Sequence, residues 1–281
     1  MIRVVSILLV FLSFVQLHAQ ETAPLVLGEQ RKIASKILHE TRIINIYLPE
    51  DYQETDTSHY PVIYILDGGM EEDFIHLVGL VRFNTQPWIA RFPKSIVVGI
   101  ENTKRRRDFT FEVNSLDFLN EMDISPEQFK DYGGSASYIS FLEQELKPSI
   151  DSIYRTSGEN TVVGESLGGL LATEILLKHT ELFTNYIISS PSLWWGNESL
   201  LLTAENSTLN GVNVYIGACQ KKEEPRMFTD AKKMAKILKK KSASSCRIFF
   251  DYLPEELHST VLHQAVYNAF KRFYPKTVME K

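Results

Sequence analysis

The sequence predicts an α/β fold: a mainly parallel central sheet flanked by helices, with an antiparallel hairpin at its N-terminal edge. Three observations carry that expectation. Short β-branched runs alternate with helical stretches along the chain, the first two runs lie too close together for a crossover helix, and a glycine-framed serine joins a strand-like run to a helix-like one.

Taken in order, residues 32–38 and 43–48 form the edge hairpin, because parallel strands need a longer connection than the few residues between them. The runs 62–66, 95–100, 160–164, 186–189, 212–216 and 247–253 supply the remaining strands. Ile139, Leu142, Leu146, Ile150 and Ile153 recur at helical spacing, and Pro148 bends or breaks that helix partway. Ala231, Met234, Ala235 and Leu238 form one apolar stripe, while Lys232, Lys233, Lys236, Lys239, Lys240 and Lys241 make a solvated face. Residues 111–134 have no clear period and read as an insertion near the carboxyl edge of the 95–100 strand, where loops often cover sites.

The 281 residues, 44% hydrophobic and 23% charged, suit one globular domain spanning residues 20–281. A formal net charge of -5 provides no basic field for nucleic acid, and nothing after the N-terminus is long and apolar enough for integral membrane association. Met1-Ile2-Arg3 precedes an apolar run over residues 4–15, broken by Ser6 and Ser13, which is the pattern of a secretory signal. Cleavage after Ala19 would release a periplasmic or secreted protein, although Leu17 is large for its place before the cut. Export permits a disulfide between Cys219 and Cys246. Cys219 follows the 212–216 strand whereas Cys246 opens the next; in parallel neighbours that puts the thiols at opposite ends of the sheet, about 20 Å apart and out of reach.

Gly164-Glu165-Ser166-Leu167-Gly168-Gly169 is the candidate reactive turn. Thr161-Val162-Val163 ends a core strand, Leu170 to Leu177 continues as an apolar helix, and the glycines remove Cβ atoms that would crowd a sharp turn. Ser166 would then be a nucleophile exposed at the sheet edge, with the Leu167 N–H as one oxyanion donor. A serine hydroxyl needs a general base, and histidine has the suitable pKa. His18 leaves with the signal, His39 and His59 sit in early loops, His76 follows the 62–66 run, His179 ends the serine's helix and His263 lies inside the terminal helix. His258, in the loop after the last strand, is the best-placed base. The acid should hang from the loop after the preceding strand, where Glu223 or Glu224 could serve, Glu223 slightly preferred; Asp251, Glu255 and Glu256 are weaker alternatives, and a Ser-His dyad is a further one. Leu66-Asp67-Gly68-Gly69-Met70 follows an earlier strand and places Gly69 or Met70 as the second oxyanion donor.

Several stretches together resemble the esterase D-like group of α/β-hydrolases, which includes siderophore esterases, feruloyl esterases and mycolyltransferases. They run in that group's order: Ile46-Tyr47-Leu48-Pro49, Tyr60 through Gly68, Val98-Gly99-Ile100-Glu101-Asn102, Arg105-Arg106-Arg107-Asp108, the Ser166 turn, Ser190-Pro191-Ser192-Leu193-Trp194-Trp195 and Glu256-Leu257-His258-Ser259. The resemblance implies the α/β-hydrolase fold, Ser166 as nucleophile, His258 as base, an acid near Glu223 and the Gly68 loop in the oxyanion hole. It also implies that Arg105, Arg107, Trp194 and Trp195 lie around the pocket. Phe111, Ser259 and Glu165 stand where the group often has proline, glycine and histidine. Arg105 and Arg107 read either as a clamp for an anionic or catecholate substrate or as loop charges tied to Asp108, the latter favoured. Of the two tryptophans, one is expected to stack on substrate and one to plug the core.

The expectation is an exported serine esterase that acts on a small-molecule or polysaccharide-linked ester through an acyl-enzyme, with no metal or other cofactor. An acyltransferase on the same scaffold and a non-catalytic binding protein are the alternatives.

Overall fold

The computed structural model describes residues 22–275 apart from positions 54, 56 and 123; the secretory signal expected over residues 1–19 lies outside them. Among the described residues, eight strands form one sheet: β1 (Glu29–Ser35), β2 (Glu40–Tyr47), β3 (Tyr60–Ile65), β4 (Ile96–Ile100), β5 (Thr156–Glu165), β6 (Asn185–Ser189), β7 (Asn213–Ala218) and β8 (Arg247–Tyr252). Their order across the sheet is β1-β2-β4-β3-β5-β6-β7-β8. The β1–β2 hairpin is antiparallel, with Glu29 opposite Ile46 and Ser35 opposite Glu40, and β2 joins β4 antiparallel. Every pairing from β4 through β8 is parallel.

Burial follows from that topology. Helices cover both faces of a parallel sheet, so β4 and β6 are buried at every position. Alternation along β3 sends Val62 and Tyr64 to one face and Ile63 and Ile65 to the other. The second face packs on α1 (Phe74–Asn84) and α8 (Val261–Phe273), through Leu77, Val81, Val266 and Phe270 among others. The first face carries α2 (Arg105–Phe109), α3 (Ser135–Phe141), α4 (Lys147–Ile153), α5 (Leu167–Lys178), α6 (Ser199–Asn206) and α7 (Pro225–Lys241).

Two local details refine the sequence reading. Pro148 does not break its helix; a π-helical turn over Leu142–Leu146 precedes α4, and Pro148 sits in the first turn of α4, where its missing N–H is tolerated. The insertion is closed at its base by an isolated antiparallel bridge between Phe111 and Gly134 and contains two 3-10 turns, Asp117–Met122 and Pro126–Phe129. Cys219 and Cys246 are both free, flanking parallel neighbours as expected.

Because the chain finishes β3 and β4 on one side and then crosses to place β5 beside β3, a crevice opens at the carboxyl ends of β3 and β5. The turns after β3, β4, β5, β7 and β8 converge on that edge.

Candidate active site

Ser166 joins β5 to α5 with φ 56 and ψ -117, a conformation that costs a non-glycine residue about 1–3 kcal/mol and persists only where its surroundings enforce it. They do. Its N–H donates to Ser189 O at 3.1 Å, and its carbonyl accepts from Leu170 N at 2.9 Å and Ser192 N at 3.0 Å. A Cβ on Gly164 would come within 2.3 Å of Gly168 O, so only glycine lets strand and helix meet this closely. The Leu167 N–H opens α5, where helix geometry leaves it no intrahelical acceptor. The Ser166 Oγ lies 3.3 Å from the Oγ of Ser192, a residue buried completely in the turn after β6.

On the β3 side, Gly68 N–H donates to Ile100 O at 3.0 Å and Gly68 O accepts from Asn45 Nδ2 at 2.9 Å, which pins the turn to the neighbouring strands. The Gly69 N–H is engaged by the Glu72 Oε2 at 2.7 Å. Arg105, at the start of α2, donates from Nε to Asp67 Oδ1 at 2.6 Å and from Nη2 to Asp67 Oδ2 at 2.9 Å, then reaches Glu165 O at 3.3 Å. One guanidinium therefore ties the β3 turn to the residue before the serine. Asn102 Nδ2 donates to both Asp67 Oδ1 and Glu72 Oε1.

The loops after β7 and β8 are stitched together. Gln220 N donates to Glu256 O at 2.8 Å, and His258 N donates to Glu223 Oε2 at 2.7 Å. The His258 ring is half-buried and, among the described residues, its Nδ1 has no hydrogen-bond partner. Burial pulls this imidazole below its ordinary pKa; the charges of Glu224 and then Glu223 push it back up, and that of Arg105 lowers it further. The β3 turn is acidic. Burial, helped by the charges of Asp73 and Asp67, pushes the Glu165 carboxyl up to about 8. Burial and the same kind of repulsion, from Asp67 and Glu72, raise Asp73 to about 6.

The remaining expected pocket residues are placed as follows. Arg107 pairs with Glu40 and Asp108, and Asp108 also binds the fully buried Arg42 at 2.7 Å, whereas Arg105 is held by Asp67 and not by Asp108. A 520 Å³ cavity flanks α2 and the Pro126–Phe129 turn; Arg105 and Arg107 are among its lining residues and Ser166 is not. Within its walls Lys104 pairs with Asp131 at 3.0 Å and Lys130 with Glu127 at 2.6 Å. Where one tryptophan is expected to stack on substrate, the structure buries both, at 4% exposure for Trp194 and 0% for Trp195. Trp195 packs on Phe118, Phe129 and Tyr132 and donates to Phe111 O at 2.9 Å, which fastens the insertion; among the described residues the Trp194 Nε1 has no partner. Among the described residues, no group of three or more His, Cys, Asp or Glu is arranged to hold a metal ion.

The Putative esterase family matches this chain over residues 35–266. The chain belongs to that family. The esterase is 26% identical over 260 residues to the ferri-bacillibactin esterase BesA of Bacillus subtilis, covering 86% of this chain and 88% of the relative. It is similar to a solved IroE-like serine hydrolase from Shewanella oneidensis, at 31% identity and TM-score 0.80, over 88% of this chain and 80% of that one. It is also similar to the BES protein of Bacillus cereus, at 26% identity and TM-score 0.76, over 92% and 100% of the two chains. The esterase has the α/β-hydrolase fold and is a carboxylic ester hydrolase.

Sequence reading missed Ser192, Glu72, Asp67 and Asn102 as neighbours of the site. The signal for Ser192 lay in Ser189 to Ser192, which follows the strand beside β5 and so had to finish next to Ser166.

Proposed function

We propose that this esterase is an exported serine hydrolase that cleaves a small-molecule ester through an acyl-enzyme on Ser166. The observation that carries the reading is the Ser166 elbow: a serine at positive φ, between β5 and α5, on the sheet edge that also holds His258. In the proposed reaction the Ser166 Oγ adds to the ester carbonyl carbon while its proton passes to the His258 ring. The carbonyl electron pair moves to oxygen, held by the N–H of Leu167 and an N–H of the Gly69–Met70 turn. Collapse breaks the ester C–O bond and the alcohol leaves with the proton from His258; water then repeats the sequence on the acyl-enzyme.

Export rests on the N-terminal signal pattern, and the choice of a small-molecule ester rests on relatives such as the ferri-bacillibactin esterase. No described helix is long and apolar enough to cross a membrane. Labelling by a fluorophosphonate tests the chemistry: wild-type protein takes up the label and Ser166→Ala does not, and a folded but unlabelled wild type refutes the reading. A panel of acetyl, butyryl and feruloyl esters beside a catecholate trilactone then ranks the substrates.

A further inference from the structure

Among the described residues, the Ser192 side chain is the one hydrogen-bonded to the Ser166 hydroxyl. Its own hydroxyl is completely buried, and among the described residues its one hydrogen-bond partner is the Ser166 Oγ at 3.3 Å. The placement is built in. Ser166 and Ser192 stand in the turns after adjacent parallel strands, where Glu165 pairs with Ser189, and the Ser192 N–H is bonded to Ser166 O. The connecting Ser190 donates from its N–H to Gly217 O at 2.9 Å and accepts at its Oγ from Cys219 N at 3.0 Å. Pro191 lies against the first turn of α5 so closely that a Cβ on Gly169 would come within 3.0 Å of it. The strand register, three hydrogen bonds and the Pro191 contact therefore fix the backbone that carries the Ser192 hydroxyl beside Ser166.

We infer that Ser192 donates a hydrogen bond to the Ser166 Oγ and stabilises the charge that develops there during acyl transfer; this rests on Ser166 being the nucleophile. Ser166 has one proton, which must leave toward His258 as the Oγ–C bond forms, so the bond between the two serines can persist through that step only with Ser192 as donor. Ser192 keeps its proton throughout. A buried hydroxyl without an acceptor is costly, and in this turn the acceptor is the reacting oxygen. The resting distance exceeds the usual O–H···O separation, and it shortens once the oxygen carries charge. On deacylation the same donor faces the departing Oγ.

The test compares Ser192→Ala and Ser192→Thr with wild type for fluorophosphonate labelling and for ester turnover across pH. Ser192→Ala is expected to lower the labelling rate and kcat by about 10- to 100-fold, the effect of a hydrogen bond to a charged group, with KM changed by less than about twofold. The plateau of the pH profile falls while the inflection set by His258 stays in place, a pattern that a displaced loop would not produce. Ser192→Thr, which keeps the hydroxyl, recovers most of the rate. If Ser192→Ala melts well below the parent, Ser192→Cys, with a weaker donor of similar size, is read instead and is expected to slow in the same direction. Labelling and turnover equal to or faster than wild type in a folded Ala or Cys variant overturn the inference while leaving the nucleophile in place. An unlabelled wild type would instead remove the proposed function, and this role with it.

Discussion

Glu223 Oε2 accepts a hydrogen bond from the main-chain N–H of His258 at 2.7 Å, while the Nδ1 of that histidine has no partner among the described residues. The carboxylate expected to orient the imidazole thus holds the backbone of the loop that carries it. Glu223→Gln retains an acceptor at the same place, so its kcat is expected to stay within about tenfold of wild type. His258→Ala is expected to lose about 10³-fold or more. Steady-state turnover of a chromogenic ester compares them. A loss near 10⁴-fold in Glu223→Gln, the size seen when a triad acid is neutralised, would place the carboxylate on the ring during turnover.

In the proposed role of base His258 works when neutral, and burial holds its imidazole below the ordinary 6.5. Activity should therefore rise with pH through an inflection below 6.5 and be level by neutrality. Glu224 is the larger of the two carboxylate influences that raise this value. Glu224→Gln is expected to move the kcat/KM inflection to lower pH; a shift upward would contradict the assignment.

Glu165 precedes Ser166, the proposed nucleophile, and burial pushes its carboxyl up to about 8, against an ordinary 4.5. Between these values the folded protein keeps a proton that the unfolded chain has lost, so stability falls as pH rises from about 4.5 to 8 and is unaffected below. Glu165→Gln removes that dependence. Its melting temperature is expected to exceed that of wild type by several degrees, about 3–8 °C, at pH 8, with little difference at pH 4. Thermal melts at the two pH values read the difference, and a variant less stable at pH 8 would show that the carboxylate is needed ionised.

The Glu72 carboxylate occupies the Gly69 N–H, one of the two amides proposed for the oxyanion. A carbonyl oxygen that uses this amide has to displace it. Freeing the amide in Glu72→Ala should raise the rate of acylation by about two- to tenfold, measured as the burst with an activated ester. Unchanged acylation would assign the role to the Met70 amide.

Much of the site was legible because it depends on local pattern. The glycines around Ser166 announce a turn that only small residues allow, and Leu170 to Leu176 announce the helix after it, all buried in the structure. His258 follows the last strand, as its position in the chain required. Arg42, 66 residues from Asp108, gave no such warning of a buried ion pair, because β2 meets α2 only through the sheet order. Likewise, the adjacency of Trp194 and Trp195 says nothing about which faces a pocket; contact with Phe118 and Phe129 from the distant insertion buries both.

The sequence by itself determined the α/β class, the antiparallel edge hairpin, the elbow at Ser166 and the family, since periodicity, turn glycines and motif order are properties of neighbours along the chain. Only the tertiary structure decided that Glu223 meets the backbone of His258, that Glu72 covers the Gly69 amide, that Arg105 spans Asp67 and Glu165, and that Ser192 touches Ser166. Those choices turn on which side chains strand register brings within about 3 Å of one another, a distance at which hydrogen bonds form or fail and which no local pattern encodes.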